Sequence, residues 1–355
     1  MENGYFQKIR EQYGTEVWTN NTSGSEMKTA LKEGAVGGTT NPCIIEVLLK
    51  SDTEFAHAII DKVLEEVSTD DDEEIAMLIL QRAVLRLIKL FYPLYKESNG
   101  RYGYVAIQGN PRRINDLEVI LKEAEIFHDL GENIIIKVPS TIVGAQAMEE
   151  LISRGWATIG TACFTVTQYI LMAEAYRRGL QRTNKKPRCL IAMIPSVMDK
   201  YFTEYAAKHN INVPPDVICQ AGIILQRAAY KVYRERSYEA ILISGGGREI
   251  YHWTELIGPD VANTISAGLA EKLLQERPQV TNTIQKSAPL EVIEELRQNF
   301  PDFGLAYDVS GQSHNEILSY EPLIRFNNFF NNGFDVLINE IQSRRVLVKQ
   351  KHINK

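Results

Sequence analysis

At 355 residues, 44% hydrophobic and 24% charged, the chain has ordinary globular composition and enough apolar material for a large core, arranged as one α/β barrel or two average domains. A net charge of −6 and a pI near 5.7 provide no basic field for nucleic acid, so no nucleic-acid partner is expected, although local basic residues remain able to grip a phosphorylated metabolite. Four separated cysteines (Cys43, Cys163, Cys189, Cys219) without CxxC spacing argue against a disulfide framework or a zinc site, and no apolar run reaches membrane-spanning length.

In chain order, residues 1–14 are polar and amphipathic where a secretory signal would be apolar, so a soluble cytoplasmic protein without a membrane partner is expected. Residues 16–19 (EVWT) read as a first strand ending in Asn20-Asn21. Residues 35–40 (AVGGTT) read as a second, stopped by Asn41-Pro42 before a helix from Ile44 to Lys50. Glu54 to Asn99 is a long helical region, with the charge run Asp70–Glu74 as a solvated helix start and Leu85, Leu87, Ile88 and Phe91 at helical spacing. A third strand, 104–108 (YVAIQ), precedes a helix from Ile114 to Leu130, and residues 133–137 (NIIIK) make a fourth that ends at Lys137. Helix 143–154, strand 156–162, helix 166–180, strand 189–194, helices 199–209 and 217–236, and strand 240–244 follow. Gly245–Glu249 is expected to open a helix, and Asn263–Ser266 is a brief eighth strand. Eight strand and helix pairs without a linker or repeat predict a single domain over residues 1–355, an α/β (β/α)8 TIM barrel with additional helices.

Lys137 interrupts a β-branched run of the kind buried on both faces in parallel sheets. Burying an ammonium without a partner favours loss of its proton, and a neutral amine is the nucleophile of Schiff-base chemistry; the bland alternative is a lysine that snorkels out at the strand end. Its neighbours favour a site. Asn20, Asn41, Gln108, Lys137, Thr161, Ser196 and Arg248 all fall at or just after predicted strand ends, where a barrel builds its active face. Gly245-Gly246-Gly247-Arg248 adds an anion reading, in which glycine amides and a forked guanidinium approach a phosphate; a glycine triplet alone is a tight turn.

These residues, in this order, resemble the transaldolase family. Gly37–Pro42 (GGTTNP) is similar to its G-V-T-[TS]-N-P signature, and Ile134–Thr141 (IIIKVPST) with Gly144 is similar to its I-K-[IV]-P-[AS]-T segment. Thr161, Phe164, Thr165 and Gln168 match part of its N-x-T-L-x-F-[ST]-x-x-Q pattern. Gly222-Ile223, Gly247-Arg248 and Phe329-Phe330 resemble its GI helix, its A-S-F-R phosphate loop and its aromatic closing segment. The resemblance implies a cytoplasmic transferase of the pentose phosphate kind, with phosphorylated sugars as partners and no cofactor. Lys137 would form an imine with a ketose phosphate, break the bond between the third and fourth carbons, and pass a dihydroxyacetone unit to an aldose phosphate. It implies Lys137, Gln108, Asn20 and Thr161 as catalytic positions, and Thr40, Asn41, Ser196, Gly247 and Arg248 as substrate-binding ones, with no metal.

The departures are as informative. The family's W-[LV]-D becomes Trp18-Thr19-Asn20, and V-S-x-E-V-[DN]-P becomes Val105–Pro111 with Gln108 in place of glutamate. An amide orients a water or hydroxyl but does not take a proton at neutral pH. Ile159 replaces the asparagine of N-x-T, and Ile194–Lys200 (IPSVMDK) lacks the serine and arginine of S-P-F-V-G-R. Altered specificity is therefore expected, with Tyr104, Asp199 or a water held by Gln108 moving protons. The alternatives are ordinary transaldolase activity, a lyase that releases the three-carbon unit, and a silent sugar-phosphate binding paralogue. The six histidines show no HxH or HExxH spacing and no Gly-x-Ser-x-Gly elbow appears; His252-Trp253 has no mechanism at this level. Asp308–Gly311 reads equally as a lid or as a contact within a homo-oligomer.

Overall fold

A computed structural model describes residues 4–21 and 24–353. Eight parallel strands close into a barrel in sequence order: β1 (Glu16–Asn20), β2 (Gly37–Thr39), β3 (Tyr104–Gln108), β4 (Ile134–Pro139), β5 (Thr158–Thr161), β6 (Cys189–Met193), β7 (Ile241–Ser244) and β8 (Val261–Ile265). β1 pairs with both β2 and β8, which seals the sheet. The expected (β/α)8 TIM barrel with additional helices is the observed architecture. The additions are a helix before β1 (Tyr5–Tyr13), three helices between β2 and β3 (Ile44–Ser51, Thr53–Glu66, Asp72–Glu97), and a C-terminal set that ends in Glu321–Ile353.

The strands are buried on both faces because alternate residues serve two cores. Trp18, Ala106, Ile135, Ile159, Leu190, Ile243 and Ala262 pack together inside the barrel. Their sequence neighbours Ile107, Ile134, Ile136, Ile191, Leu242 and Val261 pack outward against the helices. The β2 side of the interior is filled by the Trp18 ring: a Cβ on Gly37 would lie 2.5 Å from it, so only glycine fits there. At the amino ends of the strands Glu16 accepts from Arg188 and from Trp18 Nε1 (3.1 Å), a buried ion pair closing the barrel floor.

The expected helical region 54–99 divides at Val67, and Asp71 caps the third helix by accepting from Glu73 and Glu74 N–H, so the acidic run is a capped helix start. The helix expected from Ile114 begins at Leu117, capped by Asp116, because Asn110-Pro111 first forms a short 3-10 turn. β4 does not stop at Lys137 but continues through Pro139. The helix expected from Gly245 is a loop followed by the single turn Tyr251–Thr254.

Candidate active site

The period of two that fills the barrel interior also aims the site. Two residues beyond Trp18, Ala106, Ile135, Ile159 and Ala262 come Asn20, Gln108, Lys137, Thr161 and Thr264, which share the inward parity at the carboxyl ends. The register brings Gln108 opposite Lys137 and Thr161 opposite Pro139. The four expected catalytic positions are thus brought to one mouth by β1, β3, β4 and β5.

Lys137 keeps some surface at this mouth, but burial of its amine pushes the pKa down from the ordinary 10.5 to about 8, a shift that the Cys43 thiol opposes slightly. Its Nζ donates to the Thr40 carbonyl, 3.1 Å away. That carbonyl is held in place because Thr40 Oγ1 and N–H both reach the Ala106 carbonyl, at 2.7 and 3.1 Å. At pH 7 an amine of pKa 8 is neutral in about one molecule in ten, against fewer than about one in a thousand for an ordinary lysine.

The groups around the amine are amides and hydroxyls. Gln108 Oε1 is buried and has no hydrogen-bond partner among the described residues. Leaving such an oxygen unmet costs about 1–3 kcal/mol, so it suits a water or a substrate hydroxyl. Asn20 Oδ1 accepts from Thr39 Oγ1 (3.2 Å), which also meets Thr264 Oγ1 at 2.7 Å. Asn41 Oδ1 is committed to Cys43 N–H (3.0 Å) and Asn21 Nδ2 (2.9 Å), while Asn21 Oδ1 accepts from Asn41 N–H. Asn41 therefore joins the β1 and β2 loops, helped by the left-handed backbone of Asn21 (φ 47°). Thr161 is buried at the end of β5 and is followed by Ala162 at φ 62°. A methyl-bearing residue in that region costs about 1–2 kcal/mol and turns the chain sharply away from the mouth.

The far side of the mouth is built by β6 and β7. Ser196 Oγ donates to the Gly246 carbonyl at 2.6 Å, and Gly246 takes the left-handed φ of 63° that the glycine turn predicted. A Cβ on Gly247 would lie 2.9 Å from Leu269, and Arg248 stands exposed at the rim. No long helix follows, and the N–H groups of Arg248 and Glu249 instead donate to His252 Nδ1 at 3.4 and 3.1 Å. Since Nδ1 accepts, Nε2 carries the proton and donates to Asp199 Oδ2 at 2.7 Å. Tyr251 donates to the same oxygen at 2.6 Å, and Gly222 N–H approaches Oδ1 at 3.5 Å.

Of the residues considered for proton transfer, Tyr104 begins β3 rather than ending it, so it lies at the floor against Tyr95 (ring centroids 5.2 Å). It borders a cavity of about 760 Å³ with Tyr95, His128 and Trp156, at the end of the barrel away from Lys137. Asp199 is occupied by His252 and Tyr251.

Two further contributors stand behind the mouth: Gln168, which the sequence matches to a motif without giving it a role, and Glu123, which it does not single out. Gln168 accepts from Phe164 N–H (2.9 Å) and donates to the Ser140 carbonyl (2.7 Å), tying the β5 loop to the β4 loop beside Lys137. Behind Gln108, Glu123 accepts the Asn110 N–H with both oxygens, at 3.1 and 3.3 Å. Gly109 makes room for this contact, since a Cβ there would sit 2.1 Å from Glu123 Oε2. Burial pushes the Glu123 carboxyl up from 4.5 to about 7, against the pull of the Asn110 N–H. The Gln168 contact is foreshadowed by Thr165-x-x-Gln168, a capping box at a helix start, whereas the Glu123 contact leaves no local pattern.

The helix Glu321–Ile353 straps the mouth. Phe326 meets Phe164 edge to face at 5.5 Å, Gly333 packs on Cys43, and Arg112 of the β3 loop pairs with Asp335. Phe329 is exposed and Phe330 buried. Among the described residues no group of three His, Cys, Asp or Glu side chains could hold a metal ion, and no helix is long and apolar enough to cross a membrane.

The sequence profile of the transaldolase/fructose-6-phosphate aldolase family matches residues 17–310. Curated relatives include a protein named transaldolase from Trichodesmium erythraeum, 25% identical over 336 residues (82% of this chain and 86% of the relative). Transaldolase 1 of Streptomyces avermitilis is 24% identical over 289 residues (72% and 76%), and a transaldolase of Mycolicibacterium smegmatis 24% over 318 (78% and 82%). With the profile spanning both halves of the barrel and every strand from β1 to β8, the chain belongs to the transaldolase/fructose-6-phosphate aldolase family.

Proposed function

We propose that this protein is a transaldolase-like transferase that cleaves a ketose phosphate through an imine on Lys137 and transfers a three-carbon dihydroxyacetone unit to an aldose phosphate, with altered specificity. The observation that carries the reading is Lys137 itself: a lysine on the inward face of β4, at the carboxyl end, with its pKa lowered to about 8. Its neutral amine adds to the ketone carbonyl of the donor sugar, and loss of water leaves a protonated imine. That imine draws in the electron pair of the bond between the third and fourth carbons as the proton leaves the hydroxyl on the fourth. The shortened aldose phosphate departs, and the enamine on Lys137 attacks the aldehyde of the acceptor. Addition of water frees the product ketose and returns the amine.

Asn20 and Gln108 stand where family resemblance places carboxylates, so they orient rather than exchange protons. A water accepted by Gln108 Oε1 is the group this reading assigns to proton transfer, since that oxygen lies beside Lys137 and lacks a partner among the described residues. Thr161 assists at the same edge. Thr40 holds the amine and Asn41 shapes the adjoining loop, while Ser196, Gly247 and Arg248 form the end that receives the phosphate. The protein would act in cytoplasmic carbohydrate metabolism of the pentose phosphate kind, without a cofactor.

Borohydride trapping with fructose 6-phosphate and sedoheptulose 7-phosphate, read by peptide mass, tests the reading. A three-carbon adduct on Lys137, absent from Lys137→Ala, is the expected result. No adduct with any ketose phosphate in a folded preparation would leave a sugar-phosphate binding protein instead. Adding an acceptor aldose phosphate then separates transfer from release: a new ketose phosphate supports transferase action, and free dihydroxyacetone supports a lyase.

A further inference from the structure

We propose that His252, fixed by Asp199, is a positioning residue that holds the Gly245–Glu249 loop in its anion-receiving form and so sets the affinity of the site for the phosphate end of its substrate. The inference rests on the proposed reading of Arg248 as the cation at that end.

The loop has little else to order it. It has glycine at three successive positions, and the element after it is one turn long, so no helix of useful length fixes its end. Its ends are tied by Gly245 N–H to the Met193 carbonyl (2.8 Å) and by the exposed Lys272–Glu249 pair (3.5 Å), and between them two side chains supply the order. Ser196 takes the Gly246 carbonyl, and His252 Nδ1 takes the N–H groups of Arg248 and Glu249. His252 is 4% exposed, and its backbone is held by the neighbouring Trp253, fully buried against Tyr5 and Phe6 (ring centroids 5.7 and 6.3 Å). The imidazole thus joins a buried wall to the glycine-rich stretch of the mouth.

Asp199 fixes which nitrogen does this. By accepting from Nε2 it keeps the proton there and leaves Nδ1 as the acceptor that the loop amides require. A carboxylate 9% exposed is costly unless satisfied, and here Tyr251, His252 and Gly222 N–H, in the first turn of the helix Ala221–Glu235, all point at it. In the resembling S-P-F-V-G-R segment an arginine stands at this position. One cation has therefore given way to an acid whose charge is spent inside the protein. Phosphate affinity then depends on how well the single remaining guanidinium is presented, and presentation is what the imidazole controls.

The test uses His252→Phe, which keeps the ring shape without its nitrogens, and His252→Asn, whose side-chain oxygen falls near Nδ1. In His252→Phe the backbone amides of residues 248 and 249 should exchange with deuterium at least about tenfold faster, and the KM for a ketose phosphate and the inhibition constant of inorganic phosphate should each rise about tenfold, with kcat within about threefold. Lys137 should still be trapped at the wild-type rate by borohydride with dihydroxyacetone, which bears no phosphate. His252→Asn should recover most of the exchange protection and affinity. Unchanged exchange at 248 and 249 would overturn the inference, as would a phenylalanine variant that loses dihydroxyacetone trapping and phosphate affinity together. A rise in KM for Arg248→Ala with none for His252→Phe would sink this inference alone, while indifference of both variants to phosphate would sink the underlying reading as well.

Discussion

The floor and the mouth of this barrel are built from the same inward-facing rows, yet they treat charge in opposite ways. At the floor, Glu16 meets Arg188 and the Trp18 indole, and Arg188 also donates to the Arg101 carbonyl, so the two buried charges are paired, although Arg188 Nε has no partner among the described residues. At the mouth, Lys137 has a backbone carbonyl as its partner and Gln108 faces it with an oxygen that no described residue meets. Paired opposite charge closes the floor; at the mouth a single amine stands among neutral amides and hydroxyls. What separates the two ends is an opposite charge for the buried cation, present for Arg188 and, among the described residues, absent for Lys137.

Exchanging Lys137 for methionine should give the largest effect. Turnover and imine trapping should fall by at least about a thousandfold, while stability at pH 7 should rise by about 2 kcal/mol. The sign follows from a folded pKa below the unfolded 10.5. Whatever stability the lysine contributes is present above pH 10.5 and is lost as pH falls through about 8. Melting temperatures of wild type and Lys137→Met should accordingly diverge below pH 8 and converge above 10.5. A variant that melts below wild type at pH 7 would mean the lysine is not held at a cost.

Breaking the floor should do the reverse. Glu16→Ala leaves a buried guanidinium without its acid and should cost about 3–5 kcal/mol in chemical denaturation, with the KM of the remaining folded fraction unchanged. A large kinetic effect without loss of stability would remove the contrast between the two ends.

A smaller change sharpens the mouth. Gln108→Glu places an acid opposite Lys137, which should lift the amine pKa above 8 and raise ordinary transaldolase turnover about tenfold. Unchanged turnover would count against Gln108 as the residue that holds the proton-carrying water.

The smallest effect belongs to Glu123, behind the mouth. Its carboxyl is raised in the fold, so its contribution is fully present below pH 4.5 and lost as pH rises through about 7. Glu123→Gln should stabilise the protein by about 1–2 kcal/mol at pH 8 and by almost nothing at pH 4.5, measured by denaturation at the two values. Equal shifts at both would show that the carboxyl is not held protonated.

The barrel was legible in the sequence because its signals are local. The β-branched run Ile134–Ile136 and the segment Tyr104–Gln108 declare strands by composition, and the parity that buries Ile135 is the parity that exposes Lys137 to the mouth. Gln108, Asn20 and Thr161 fall at predicted strand ends by the same reading, and family resemblance then implies catalytic roles for them. The Asp199 to His252 pairing was not legible, since 53 residues separate its members and neither carries a periodic signature. For the same reason His252 looked idle and Gly245–Glu249 looked like a helix start: the glycines announce a turn, but what catches the turn's amides lies on the next element. Asn41 shows a milder form of the difficulty, because its motif suggested contact with substrate while its oxygen is engaged by Cys43 and Asn21.

The seam between β1 and β8 bears on how the chain reaches this state. Thr264 donates to the Thr19 carbonyl across 245 residues of sequence, and the sheet has no closed edge until that contact forms. The first strand thus waits, with Val17 and Trp18 unburied, while nearly the whole barrel is synthesised. Nascent chains of this protein should be adhesive at the N-terminus until β8 emerges, and the slow step of refolding should be the joining of the two ends rather than the growth of the strands between them.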